Sequence, residues 1–245
     1  MSEFTISVTL GIVAAIASLF GSLIVIGKRK ITKNFLFYFI AIGAGFILAA
    51  SLFDMIPESL KISSDAVLYI VLGFFLIHFF EHIVSSHFHF GEEIHKEAID
   101  KTTAWSILLA LTIHSFLDGV SISAGFNVNP LLGLTIFGAV ILHKIPDGFT
   151  VASVMLVSGR EKLGVLAASL ILSISTIAGS IWAATFTSYT PILLPLSAGA
   201  FLHIAATDLI PEIVKQRKLT LSLVIFAGAL LYYVTRIALV SFGIA

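Results

Sequence analysis

Eight apolar stretches, most of them about twenty residues or longer, take up most of this chain. They run approximately over residues 5–26, 35–58, 66–84, 103–126, 131–157, 163–186, 192–214 and 219–242. A helix rises 1.5 Å per residue, so about 20 apolar residues cross the roughly 30 Å hydrocarbon layer of a bilayer. Inside that layer every backbone N–H and C=O must be bonded within the protein, which leaves helices or a closed barrel. The alternating apolar–polar decamers of a barrel are absent. The expected fold is therefore an all-α membrane protein, a single transmembrane domain over residues 1–245 with eight transmembrane helices. Composition agrees: 58% of residues are hydrophobic and 11% charged, too little ionic surface for a soluble particle of this size. With a formal net charge of zero, a nucleic-acid partner is not expected. There are no cysteines, so disulfides, thiolate metal sites and cysteine nucleophiles are excluded together.

The basic residues alternate from loop to loop. Lys28, Arg29, Lys30 and Lys33 follow the first span, Lys96 and Lys101 the third, Arg160 and Lys162 the fifth, and Lys215, Arg217 and Lys218 the seventh. The opposite set of loops holds only Lys61. Short loops rich in Lys and Arg stay cytoplasmic, so both termini are expected outside. Glu3 and the lack of a preceding basic residue argue for a retained first helix rather than a cleaved leader. One longer cytoplasmic loop, about residues 85–102, carries several histidines.

The chain also repeats itself. Phe53-Asp54-Met55-Ile56-Pro57-Glu58 ends the second span and Thr207-Asp208-Leu209-Ile210-Pro211-Glu212 ends the seventh. The same offset of 154 residues aligns Ala44 with Ala198, Gly45 with Gly199, Leu48 with Leu202 and Lys61 with Lys215. The second span travels outward and the seventh inward. The expectation is an inverted-topology repeat, as in many secondary transporters, with spans one to three mirroring six to eight and two inserted between them: a 3+2+3 arrangement.

The fourth span contains His114-Ser115-Phe116-Leu117-Asp118-Gly119 and the fifth His143-Lys144-Ile145-Pro146-Asp147-Gly148, both His-x-x-x-Asp-Gly. Residues four apart share a helical face, so each helix presents an imidazole nitrogen and a carboxylate oxygen toward one point. Two such helices face to face supply four ligands for one divalent cation, a set that suits zinc and iron better than manganese. Both histidines fall near the bilayer midplane by residue count. Gly119 and Gly148 permit close helix approach, and Pro146 frees a backbone carbonyl. A buried ionisable group within a membrane needs a partner or a task.

With these motifs, the chain resembles the ZIP (Zrt/Irt-like) family of divalent metal transporters over essentially its whole length. The resemblance implies that His114, Asp118, His143 and Asp147 are transport-site ligands. It implies uptake toward the cytoplasm by vertical movement of spans one, four, five and six against the other four. The stretch from Gly199 to Glu212 also resembles the family's seventh span. Some members hold two metals, with an Asn after the first His, an acidic residue after the second and a Glu in the sixth span. Here Ser115 and Lys144 stand at the first two places and the sixth span has no acidic residue. A single metal is expected, with the Lys144 ammonium in place of the second cation, balancing Asp118 and Asp147.

Further candidates follow from position. Asp54 and Glu58 are expected at the outer mouth of an ion path, and Asp208 and Glu212 at the inner mouth, where carboxylates concentrate cations. His203 is a candidate exit-route ligand or a hydrogen-bonded core histidine. His78, Glu81, His82, His87, His89 and His95 form a candidate cytoplasmic metal acceptor or sensor. Arg236, late in the eighth span, is expected to snorkel outward. The substrate expected is Zn2+, with Fe2+, Mn2+ and Cd2+ compatible, and no cofactor. The partners are divalent metal ions and the lipid bilayer, and a homodimer is compatible with this reading. The location expected is a prokaryotic plasma (inner) membrane. The alternative class is an intramembrane zinc-dependent hydrolase, which needs an open metal position, a water and a separate base.

Overall fold

A computed structural model describes residues 2–27, 33–80 and 100–244, with no side chain described for residues 33 and 34. Among the described residues eight helical segments follow one another: α1 (Glu3–Ile26), α2 (Lys33–Ala50, continuing through Ser51–Met55 and Ile56–Ile62), α3 (Ala66–His78), α4 (Lys101–Val128), α5 (Pro130–Val157), α6 (Lys162–Thr185), α7 (Thr190–His203, continuing through Ile204–Leu209 and Ile210–Lys215) and α8 (Leu219–Ser241). All but α3 are long and apolar enough to cross a membrane among the described residues, and α3 is a shorter apolar helix. The chain is a multi-pass, all-helical membrane protein.

Capping decides two boundaries. Asp100 accepts a hydrogen bond from the Thr103 N–H at 2.6 Å, so α4 starts at Lys101, two residues earlier than the apolar pattern suggests. The expected loop over 85–102 therefore loses its last residues to a helix and its cap. Asn129 ends α4 and caps α5 through the Leu132 N–H, with Pro130 at the first position.

Burial identifies the centre. In α4, 78% of the apolar window is buried, against 11% in α8, so α4 is a core helix and α8 a peripheral one. Two groups of four helices result: α1, α4, α5 and α6 pack on one another, as do α2, α3, α7 and α8, and α2–α5 and α4–α7 contacts join the groups. Four of the helix pairs are closed by reciprocal glycines. Gly119 of α4 lies against the Thr176 carbonyl of α6, and Gly179 of α6 against the Phe116 carbonyl of α4. Gly21 and Gly148 do the same between α1 and α5, Gly45 and Gly228 between α2 and α8, and Gly73 and Gly199 between α3 and α7. A Cβ at any of these would overlap the facing backbone, and lipid offers no hydrophobic drive between helices, so close contact supplies the attraction. Buried hydroxyls add interhelical hydrogen bonds, including Ser22 to the Gly148 carbonyl (2.8 Å), Ser51 to the Ala198 carbonyl (3.0 Å) and Ser180 to the Ser7 carbonyl (3.1 Å).

The repeated Asp-x-Ile-Pro-Glu motif has a shared local structure. In both copies the helix widens into a π turn, Ser51–Met55 and Ile204–Leu209, just before the proline. Pro57 and Pro211 lack the N–H that an α-helix would donate four residues back, and their rings crowd that carbonyl. The wider turn accommodates both problems. The ion pairs that follow are also repeated: Lys61–Glu58 at 2.7 Å and Lys215–Glu212 at 3.3 Å, each three residues apart.

Candidate metal centre

The site begins with α4 and α5, which run antiparallel through the core. His114 lies thirteen residues beyond Lys101, and His143 thirteen beyond Pro130, about 20 Å along each helix. Since both helices have 28 residues, the two histidines meet at mid-length. Asp118 and Asp147 follow one turn later on the same faces. The α5 helix stays continuous across Pro146, whereas α2 and α7 each contain a π turn.

His114, Asp118, His143 and Asp147 are all buried, and one ligand atom from each lies within 4.8 Å of the others. His143 Nε2 is 3.3 Å from Asp118 Oδ1, and His114 Nε2 is 3.4 Å from Asp118 Oδ2 and 3.6 Å from Asp147 Oδ2. The two imidazole rings stand edge to face, 5.6 Å between centroids. Zinc bonds of about 2.0–2.1 Å in a tetrahedron place ligand atoms about 3.3 Å apart, so the four groups, within 4.8 Å of one another here, share one ion after drawing together by at most about 1.5 Å.

Orientation comes from the backbone. His143 Nδ1 lies 2.8 Å from the Ala139 carbonyl, which can only accept, so Nδ1 donates. Nε2 is thereby aimed at the carboxylates, the usual support for a metal-ligating imidazole. Among the described residues, neither ring nitrogen of His114 has a protein hydrogen-bond partner, although the residue is 3% exposed. A buried imidazole beside two carboxylates and without a hydrogen bond suits a cation.

Lys144 completes the cluster. It is fully buried, with Nζ 2.6 Å from Asp118 Oδ2, 3.3 Å from Asp147 Oδ2 and 2.9 Å from Ser115 Oγ. Its ammonium thus faces the carboxylates rather than a watery cavity. With both imidazoles neutral, as metal ligation requires, two carboxylates and one ammonium leave one net negative charge at the cluster before any ion enters.

The family model described as ZIP zinc transporter matches residues 92–236, which include this whole cluster. The chain belongs to the ZIP zinc transporter family. An uncharacterized zinc transporter of Schizosaccharomyces pombe is 32% identical over 141 residues, 52% of this chain and 31% of that protein. Zinc transporter ZIP9 of Xenopus tropicalis is 30% identical over 158 residues, 59% of this chain and 51% of the relative. The zinc transporter ZIP13 homolog of Drosophila melanogaster is 29% identical over 130 residues, 50% and 37% of the two chains. The matches thus span between about a third and a half of these relatives' own lengths.

The other sequence candidates of this ZIP chain are more dispersed. Asp54 is 6% exposed and its Oδ1 accepts from Arg236 Nε at 2.9 Å. Arg236 therefore turns to α2 and does not simply snorkel away. The pairing spans 182 residues of sequence, so no local pattern signals it. Glu58 pairs with Lys61, and Glu212 is buried and pairs with Lys215. His203 is fully buried against the Phe74 ring at 4.7 Å and the His78 ring at 5.5 Å, with Asp208 Oδ1 3.9 Å from its Nε2. Phe201, two residues before it, meets the His143 ring edge-on at 6.1 Å, which brings α7 to the border of the site. Glu81, His82, His87, His89 and His95 lie outside the described residues.

Proposed function

We propose that this ZIP chain carries a divalent metal cation, foremost zinc, across the membrane into the cytoplasm, through a single midplane site made by His114, Asp118, His143 and Asp147. The convergence of these four ligands from two antiparallel membrane helices is the observation that carries this reading. The relatives' names as zinc transporters support the choice of ion. Lys144 acts as a tethered cation: with no ion bound it neutralises part of the carboxylate charge, and it occupies the ground where a second metal would otherwise sit. One divalent ion then changes the cluster from one net negative charge to one net positive charge, so a second is repelled. Residue counts along each helix support a depth far from either aqueous face, where the ligands would replace the ion's hydration shell.

Movement follows from an inverted 3+2+3 repeat with both termini outside. The repeated π turns, the mirrored ion pairs and the reciprocal glycine pairs support that symmetry. The packing of α1, α4, α5 and α6 as one group supports a carrier unit that shifts against α2, α3, α7 and α8 and exposes the site to each side in turn. Glu58 belongs to the outer approach, and Asp208 and Glu212 to the inner one, with His203 on the exit route. The expected setting is a prokaryotic plasma membrane, and a homodimer is compatible with this reading. A hydrolase is disfavoured because the remaining ionisable group at the cluster, Lys144, contacts both carboxylates and supplies no free base.

Proteoliposome uptake of radioactive zinc tests the reading. His143→Ala and Asp147→Ala should each abolish saturable uptake while the protein stays folded and inserted. Undiminished uptake in both variants would refute the site, and lipid or peptide turnover without metal flux would refute transport.

A further inference from the structure

A groove unrelated to the metal centre opens on the lipid-facing side, where α4 and α6 meet over the end of α5. Its deeper part is a cavity of about 110 Å³ lined by Trp105, Leu108, Met155, Ala168 and Ile171, with Arg160 at its rim. Arg160, Gly164 and Ala167 also line a wider, more open depression of about 460 Å³ that reaches Lys101. The two spaces form one path from an aqueous rim into an apolar slot. Ile171 lies nine residues beyond Lys162, about 14 Å deeper along α6, close to the roughly 15 Å depth of one leaflet's hydrocarbon.

The rim is chemically distinct from the slot. The Arg160 guanidinium sits over the Trp105 ring at 5.1 Å, and Trp105 is 52% exposed. Tryptophan prefers the headgroup level of a bilayer. A second aromatic group, Trp182 stacked on Tyr189 at 6.3 Å, lies at the other end of α6. Lys162 to Trp182 is twenty residues, about 30 Å, so the two aromatic levels bracket one hydrocarbon thickness. The rim cations therefore stand where lipid phosphates lie. Among the described residues, Lys101 and Arg160 face the depression, Glu161 is the acidic residue on it, and the nearby Asp100 carboxylate is engaged by the Thr103 N–H.

We propose that this groove binds one anionic phospholipid, with an acyl chain in the slot beneath Trp105 and the headgroup phosphate held by Arg160 and Lys101. Charge complementarity selects the anionic headgroup, since a zwitterionic lipid brings its own cation to the same rim. Basic pockets between membrane helices on the cytoplasmic side bind such headgroups, and each cation near the surface is worth about 1 kcal/mol, or about fivefold in affinity. The inference rests on the membrane placement of the proposed function but not on metal transport.

The chain has two tryptophans, which makes the site directly observable. With Trp182→Phe as background, the full-length protein is placed in phosphatidylcholine vesicles containing brominated phosphatidylglycerol or brominated phosphatidylcholine, and quenching of Trp105 is followed. Half-maximal quenching is expected at a mole fraction of phosphatidylglycerol at least tenfold below that of phosphatidylcholine. Lys101→Gln with Arg160→Gln should remove the preference while leaving phosphatidylcholine quenching in place. Ala167→Phe, which narrows the slot and keeps both charges, should weaken quenching by both lipids. Excess glycerol 3-phosphate should not displace the lipid. Equal quenching by the two lipids, a preference that survives the double substitution, or displacement by glycerol 3-phosphate overturns the proposal. Zinc uptake measured in the same vesicles separates its failure from failure of the transport reading.

Discussion

Replacing Lys144 by Met removes one charge from the metal centre with little change in side-chain length, and the structure sets the size of the effect. Lys144 Nζ is 2.6 Å from Asp118 Oδ2. A zinc ion bonded to that oxygen at about 2.2 Å lies at most roughly 4.8 Å from Nζ. At an effective dielectric constant of about 20, a divalent and a monovalent cation at that distance repel by about 7 kcal/mol. The repulsion falls below that figure as the displaced ammonium moves away along its flexible stem. Breaking a buried ion pair from one side costs about 3–5 kcal/mol. In the Lys144→Met protein an incoming ion relieves that cost, so the lower end of the range corresponds to about a hundredfold tighter zinc binding. Tighter holding also slows release, so KM and the maximal uptake rate should fall together. The assay is zinc titration of the purified protein against a competing chelator, with proteoliposome uptake in parallel. Lys144→Gln, which keeps a donor for Ser115 Oγ, should shift affinity in the same direction. A zinc Kd that is unchanged or raised in folded variants would refute the tethered-cation argument.

Three further outcomes follow from packing and charge. Gly148→Ala drives a Cβ into the Ser18 backbone of α1 and should destabilise the protein by about 1–3 kcal/mol or more, seen as a lower thermal transition. Gly164→Ala, whose new Cβ would meet, among the described residues, only the Arg160 side chain at 3.6 Å, should leave that transition unchanged or raise it. Arg236→Gln leaves the Asp54 carboxylate without its ionic partner. Because Arg236 is 41% exposed, solvent screening limits the loss to about 1 kcal/mol, and zinc KM should stay within twofold of the parent. A severalfold change in KM would instead make Asp54 part of the ion's route.

The legible part of this protein was the part that helical geometry fixes locally. Apolar length predicted helices, and the i, i+4 spacing of His114 with Asp118 and His143 with Asp147 predicted one face per helix. The Asp-x-Ile-Pro-Glu repeat marked two corresponding places, but not that each becomes a π turn, because the proline's lost hydrogen bond can be accommodated in several ways. The α4 boundary moved because the Asp100 cap, a polar group outside the apolar run, decides where the helix starts.

What only the tertiary structure decided depends on groups far apart in the chain. The His143 Nε2–Asp118 contact joins positions 25 residues apart, and the Asp54–Arg236 pair joins positions 182 apart. The inward turn of the Lys144 ammonium depends on Asp118, on the neighbouring helix, as well as on Asp147 in its own. Sequence determined that this chain spans a membrane and carries two matched His–Asp pairs, because burial of apolar length and the helical repeat are local physics. Packing decided that the pairs share one centre with a cation already beside it, because only close helix contact brings those charges within bonding reach.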